Sequence, residues 1–258
     1  MPRSHAAAPF LLMALLSAGS CTSPTERSDI APSGVSLDII SGDKQTAHQF
    51  TQLLQPIVVQ LMSSKGRPVK GQVVTFTPLT GSGSVWAGSA ITDAEGYAKE
   101  WWTIGSLVSD IQNVLEARTV DPVTGERIVL GTLRATGQSW TTPQIQCQFP
   151  GQTNWVPNPA GTGDNCPPNI LSGGRSVPAG TTLQIRFRVI DNGIPVPGVP
   201  IDFLVGGRGT VSPAQLITGA DGVGVVTFTG GQAGILNEIF ATVDPLGIQL
   251  SIPIKYGY

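Results

Sequence analysis

A block of about 126 residues occurs twice in this chain, and that repetition constrains the fold more than any other feature. Gly66-Arg-Pro-Val-Lys-Gly71 returns as Gly193-Ile-Pro-Val-Pro-Gly198. Each is followed by an apolar run ending in Phe, Val73–Phe76 in one case and Val199–Phe203 in the other. Gly81-Ser-Gly-Ser-Val85 matches Gly207-Arg-Gly-Thr-Val211, Thr92-Asp-Ala-Glu-Gly96 matches Thr218-Gly-Ala-Asp-Gly222, and Asn113–Ala117 matches Asn237–Ala241. Five matches in the same order mean two copies of one structural unit. The spacing drifts by only a few residues, between the apolar runs, where loops absorb changes in length.

Each unit reads as strands. In Thr182–Val189 the residues Leu183, Ile185, Phe187 and Val189 alternate with Thr182, Gln184, Arg186 and Arg188, the period of two of a half-buried strand. Pro56–Met62 is the counterpart in the first unit. The 32 Gly and 21 Pro of the 258 residues punctuate the chain at short intervals, as in a sandwich of about seven short strands. In Asp93-Ala-Glu-Gly96 and Ala220-Asp-Gly222 the acid is placed to bond the backbone two residues on. Acidic turns also suggest calcium, but this spacing lacks the several convergent oxygens that calcium takes. The expectation is a turn, and no metal or other cofactor.

The ordered set of motifs resembles the bacterial immunoglobulin-like domain of group 1, the invasin and intimin type. The resemblance starts at Ser41-Gly-Asp-Lys-Gln-Thr46 and continues through Gly66–Gly71, Val74-Thr-Phe76, the turn at Thr92–Gly96, Trp102-Thr-Ile-Gly105 and Asn113–Ala117. It covers residues 35–137 closely and 170–258 more loosely; the second unit has Gly219 for the turn Asp and Phe228 for Trp102. The resemblance implies an all-β chain of two tandem immunoglobulin-like β-sandwiches, 35–137 and 143–258. It also implies extracytoplasmic modules used as spacers, stalks or adhesive units, with no catalytic residues.

The N-terminal segment reads as an address. Residues 1–20 combine Arg3, an apolar stretch over Phe10–Leu16 and small residues before Cys21, the plan of a secretory signal. The stretch is too short to span a bilayer as a helix; the other reading is a short retained anchor. Ala18-Gly-Ser-Cys21 resembles the bacterial lipobox, whose Cys is acylated. The expectation is therefore lipidation at Cys21, with membrane attachment through the lipid, in the cell envelope and at the outer membrane. The alternative is ordinary cleavage nearby that leaves Cys21 a free thiol. Residues 21–34 are polar, lack an apolar period and read as a flexible tether.

Residues 138–170 depart from the repeat. They hold Cys147 and Cys166, and in an exported chain such a pair is expected to form a disulfide, stapling an insertion over 147–166. A redox pair or a metal site are the alternatives, disfavoured by the long spacing and the lack of a nearby His. Trp155 in this insertion is a tentative binding residue; the competing reading is a plug over the end of the sandwich. Trp86, Trp101 and Trp102 are expected to pack. The linker Gln138–Pro143 is short enough to make the two units semi-rigid.

Charge and composition remove other classes. Fifteen Lys and Arg against 17 acids, scattered along the chain, give no basic face for nucleic acid. Only His5 and His48 are present, and His48 reads as a solvated residue in a turn-like segment. No nucleophile elbow or phosphate-binding loop occurs. The expected function is non-catalytic, a spacer or adhesive module that meets an unknown protein or glycan. The alternative is a periplasmic accessory subunit of an envelope or secretion complex.

Overall fold

The computed structural model describes residues 34–108, 111–121, 124–157, 179–231 and 237–254. The proposed signal sequence, Cys21, the tether up to residue 33 and Cys166 lie outside the described residues.

The first unit contains β1 (Val35–Ser41), β2 (Gln45–His48), β3 (Ile57–Ser63), β4 (Val73–Pro78) and β5 (Ser84–Val85). It continues with β6 (Ser89–Ile91), β7 (Tyr97–Glu100), β8 (Trp102–Thr103), β9 (Asn113–Val120) and β10 (Arg127–Gln138). One sheet has the order β1-β3-β7, the other β2-β10-β9-β4-β6, and β5 pairs with β8. Alternation decides which faces meet. Ile57, Val59 and Leu61 of β3 point inward with no exposure, while Val58, Gln60 and Met62 are half-exposed. They pack with Val74, Phe76, Trp102, Leu115 and Leu133 into one core. Among the described residues, the strand pairs of this unit are antiparallel except β2 with β10, which is parallel.

The second unit contains β11 (Gln144–Gln148), β12 (Val156–Pro157), β13 (Thr182–Asp191), β14 (Ile194–Pro195) and β15 (Pro200–Gly206). It ends with β16 (Thr210–Ser212), β17 (Gln215–Ile217), β18 (Val223–Thr229), β19 (Asn237–Val243) and β20 (Ile248–Ile254). Its sheets run β12-β11-β13-β18-β16 and β17-β15-β19-β20. A separate core gathers Ile145, Ile185, Phe187, Ile201, Phe228, Ile239 and Leu250. Phe187 meets Phe203 edge-on with ring centroids 4.8 Å apart, a favoured aromatic geometry.

The repeat in sequence is a repeat in topology. The order β1-β3-β7 corresponds to β11-β13-β18, and β10-β9-β4-β6 corresponds to β20-β19-β15-β17. A sheet of the first, second and fifth major strands facing one of the third, sixth and seventh is the immunoglobulin arrangement. The chain is all-β, with two tandem sandwiches of this kind. The copies differ at their first strands. In the first unit the chain switches sheets after β1 to form β2. In the second, β11 is followed by the segment carrying β12.

Candidate functional site

Three surfaces concentrate chemistry: the junction between the sandwiches, the outer face of β11 and β13, and the turn after β5.

At the junction, β10 ends at Gln138 and the chain reaches β11 through Ser139–Pro143. Trp140 belongs to both sides. Its ring packs against the second core, while its Nε1–H donates to the Gln49 carbonyl at 2.9 Å. The same ring meets the His48 imidazole, centroid to centroid 4.6 Å, at an interplanar angle of 42°. His48 Nε2 lies 3.4 Å from Asp191 Oδ2. The buried Asp191 carboxylate accepts the backbone N–H groups of Thr141 and Thr142, the latter at 2.6 Å. The Gln52 N–H donates to the Gly198 carbonyl at 2.7 Å. An open groove of about 530 Å³ runs beside these groups, lined by Thr46, His48, Thr136, Gln138, Asp191 and Asn192 among others.

His48 therefore differs from its sequence reading. It ends a strand rather than lying in a turn, and its side chain is only 22% exposed. A His beside an Asp is also part of a hydrolase triad. Among the described residues, however, no Ser or Thr hydroxyl hydrogen-bonds to the His48 imidazole, and Trp140 occupies one side of the ring. The pair bridges the two sandwiches, with His48 from the first and Asp191 from the second.

The outer face of the second sandwich holds Trp155. Register places Gln146 opposite Arg188 and Gln148 opposite Arg186, so all four side chains share a face. Arg186 donates to Gln148 Oε1 at 2.8 Å, and Arg188 Nε donates to Gln146 Oε1 at 2.7 Å. The Trp155 ring lies 4.3 Å from the Arg188 guanidinium carbon and 5.4 Å from that of Arg186, within cation–π range. Trp155 thus lies against charged side chains of the sheet. Burial and the neighbouring Arg186 both hold the Arg188 pKa below its ordinary value. Sequence alternation put both arginines on one face, but only strand pairing brings Gln146, Gln148 and Trp155 to them.

Trp86 was expected to pack and does not; it is 74% exposed. The turn carrying it is held by Glu100, only 3% exposed. The Glu100 carboxylate accepts N–H groups from Ala87, Gly88 and Trp101, those of Gly88 and Trp101 at 2.7 Å. These charge-assisted bonds compensate the carboxylate for lost water. Glu100 and Trp102 are both buried, and Trp101 between them is half-exposed. Lys99 Nζ stands 5.4 Å from the Trp101 ring centroid.

The acidic turns are turns. Asp93 Oδ1 accepts the N–H groups of Glu95 and Tyr97, and Asp221 Oδ1 accepts that of Val223. Among the described residues no cluster of three or more His, Cys, Asp or Glu is placed to hold a metal. Cys147 lies on β11 inside the core with no exposure, in disulfide form; Cys166 lies outside the described residues.

No family model matches the chain. No curated protein matches it either. Among solved structures it is similar to the D0-D1 domain of intimin, with 17% identity over 87% of this chain and 100% of that one and a TM-score of 0.32. It is similar to the D00-D0 domain of intimin, with 15% identity over 87% and 100% and a TM-score of 0.34. It is also similar to invasin, described as a bacterial integrin-binding protein, with 18% identity over 86% of this chain, 39% of that one, and a TM-score of 0.29. The chain resembles invasin/intimin-type immunoglobulin-like domains. Its architecture rests on the strand orders above, and integrin binding is a property of invasin.

Proposed function

We propose that this chain is a non-catalytic lipoprotein of the cell envelope, serving as a structural spacer or adhesive module at the bacterial surface. The observation that carries the spacer part of this reading is Trp140, which packs on one sandwich while hydrogen-bonding the other. Two sandwiches fastened in this way suit a short stiff rod, which projects its outer faces better than a freely jointed pair. Acylation of Cys21 would anchor the rod and residues 22–34 would tether it; two or more acyl chains give a stable anchor.

Two measurements test the location. Cys21→Ala is expected to move the protein from the membrane to the soluble fraction; retention in the membrane would refute the lipid anchor. Protease added to intact cells is expected to digest the protein. Full protection would instead favour an accessory subunit inside the envelope.

The disulfide is assigned to Cys147 and Cys166, which would enclose Trp155 in the stapled segment. Closing a loop of this size stabilises by about 3 kcal/mol in the chain-entropy model. Exported protein should take up alkylating reagent at these two cysteines only after reduction. Uptake before reduction would refute the bridge.

A further inference from the structure

Two guanidinium groups lie side by side on the outer face of β13, and among the described residues no carboxylate pairs with either. Arg186 is exposed and Arg188 half-buried. Each has five N–H donors, of which one goes to a Gln carbonyl. The β18 residues opposite them are Val225 and Val223, so the flank away from the glutamines is uncharged. Burial and the neighbouring Arg186 both disfavour charge on Arg188. A bound anion would relieve both effects and would use donors already oriented by Gln146 and Gln148. Those glutamines are each 7% exposed and hold the guanidiniums from the neighbouring strand.

We propose that Arg186, Arg188 and Trp155 form a binding site for an acidic polysaccharide, with a uronic-acid carboxylate on the guanidiniums and its sugar ring against the indole. The combination decides among anions. A planar carboxylate matches the guanidinium fork. An indole beside the cations adds an apolar surface that a sugar ring uses and that phosphate or a polyglutamate chain does not. Arg186 is exposed to solvent, which suits contact with one residue within an extended polymer. This inference rests on the adhesive half of the function proposed above and supplies a ligand class for it.

The test is binding of the purified protein to polygalacturonate, compared with the same polymer after its carboxylates are reduced to alcohols, and with polyglutamate and polyphosphate. Polygalacturonate is expected to bind at least tenfold more tightly than the other three, and more weakly as salt rises. The variant R186Q/R188Q is expected to lose at least tenfold in affinity. R186K/R188K, which keeps the charge but not the fork, should also weaken binding, and Trp155→Ala should weaken it severalfold. Arg127→Gln removes an exposed charge from the first sandwich and should change nothing. Failure of polygalacturonate to bind would overturn the proposal. So would binding that survives R186Q/R188Q, loss on Arg127→Gln, or equal affinity for polyglutamate or polyphosphate. Because this binding is measured in solution, its failure leaves the anchor and protease results standing, and theirs leaves it standing.

Discussion

Trp102→Ala is expected to destabilise the first sandwich by about 3–5 kcal/mol, the usual cost of removing a large buried aromatic side chain. Trp102 has no exposure and sits within the core of Ile57, Val59, Leu61 and Leu115. Its Nε1–H donates to the Ser82 carbonyl at 2.8 Å, and the Ser82 hydroxyl in turn accepts the N–H of Val114 on β9 at 2.8 Å. Truncation therefore opens a cavity and also leaves the carbonyl of a buried Ser without its partner. Trp102→Phe separates the two effects. It keeps most of the ring and loses the bond, at about 1–3 kcal/mol. A small domain is stable by only about 5–15 kcal/mol, so the alanine variant should melt far below the parent. Because the two cores share no residue, calorimetry should show an early transition for the first sandwich and a smaller change in the second. A loss below about 1 kcal/mol would contradict this account of the packing.

The repeat and the alternation were legible in the sequence because both are local. Period two in Thr182–Val189 sends Ile185, Phe187 and Val189 inward and Arg186 outward, whatever the rest of the chain does. The turn chemistry at Asp93 and Asp221 is equally local. The functional surfaces were not legible, because they depend on partners distant in sequence. His48 read as solvated since nothing near it foretells Trp140 or Asp191. Trp86 read as packed because an aromatic side chain beside a strand usually packs. It lies in the turn that Glu100, at the end of β7, holds by its carboxylate. Trp155 was singled out, but its cationic neighbours follow from the register of β11 on β13.

Gly198 shows the same limit most sharply and supplies the second large effect. It is the last residue of Gly193–Gly198, the copy of Gly66–Gly71, and both final glycines have positive φ, +74° at Gly198 and +79° at Gly71. A Cβ at Gly71 would meet nothing within 4 Å, whereas one at Gly198 would stand 2.0 Å from the Gln52 carbonyl oxygen. The repeated turn has become a docking point in the second unit alone. Gly198→Ala cannot keep both its backbone conformation and the contact, so it is expected to break the hydrogen bond from the Gln52 N–H and loosen the joint. Gly193→Ala is the control: its φ is +81° and a Cβ there meets nothing within 4 Å. Both substitutions carry the left-handed strain of about 1–2 kcal/mol, but only Gly198→Ala brings the clash. Hydrogen exchange at the Gln52 amide should accelerate at least tenfold in Gly198→Ala and stay near the parent rate in Gly193→Ala. Small-angle scattering should broaden only for Gly198→Ala, as the sandwiches sample more orientations. Equal exchange and equal scattering for the two variants would mean that Trp140, Asp191 and the linker hold the joint unaided. In that case the stiffness required of a spacer would rest on the buried Asp191 carboxylate and its Thr141 and Thr142 donors, with Gly198 a bystander.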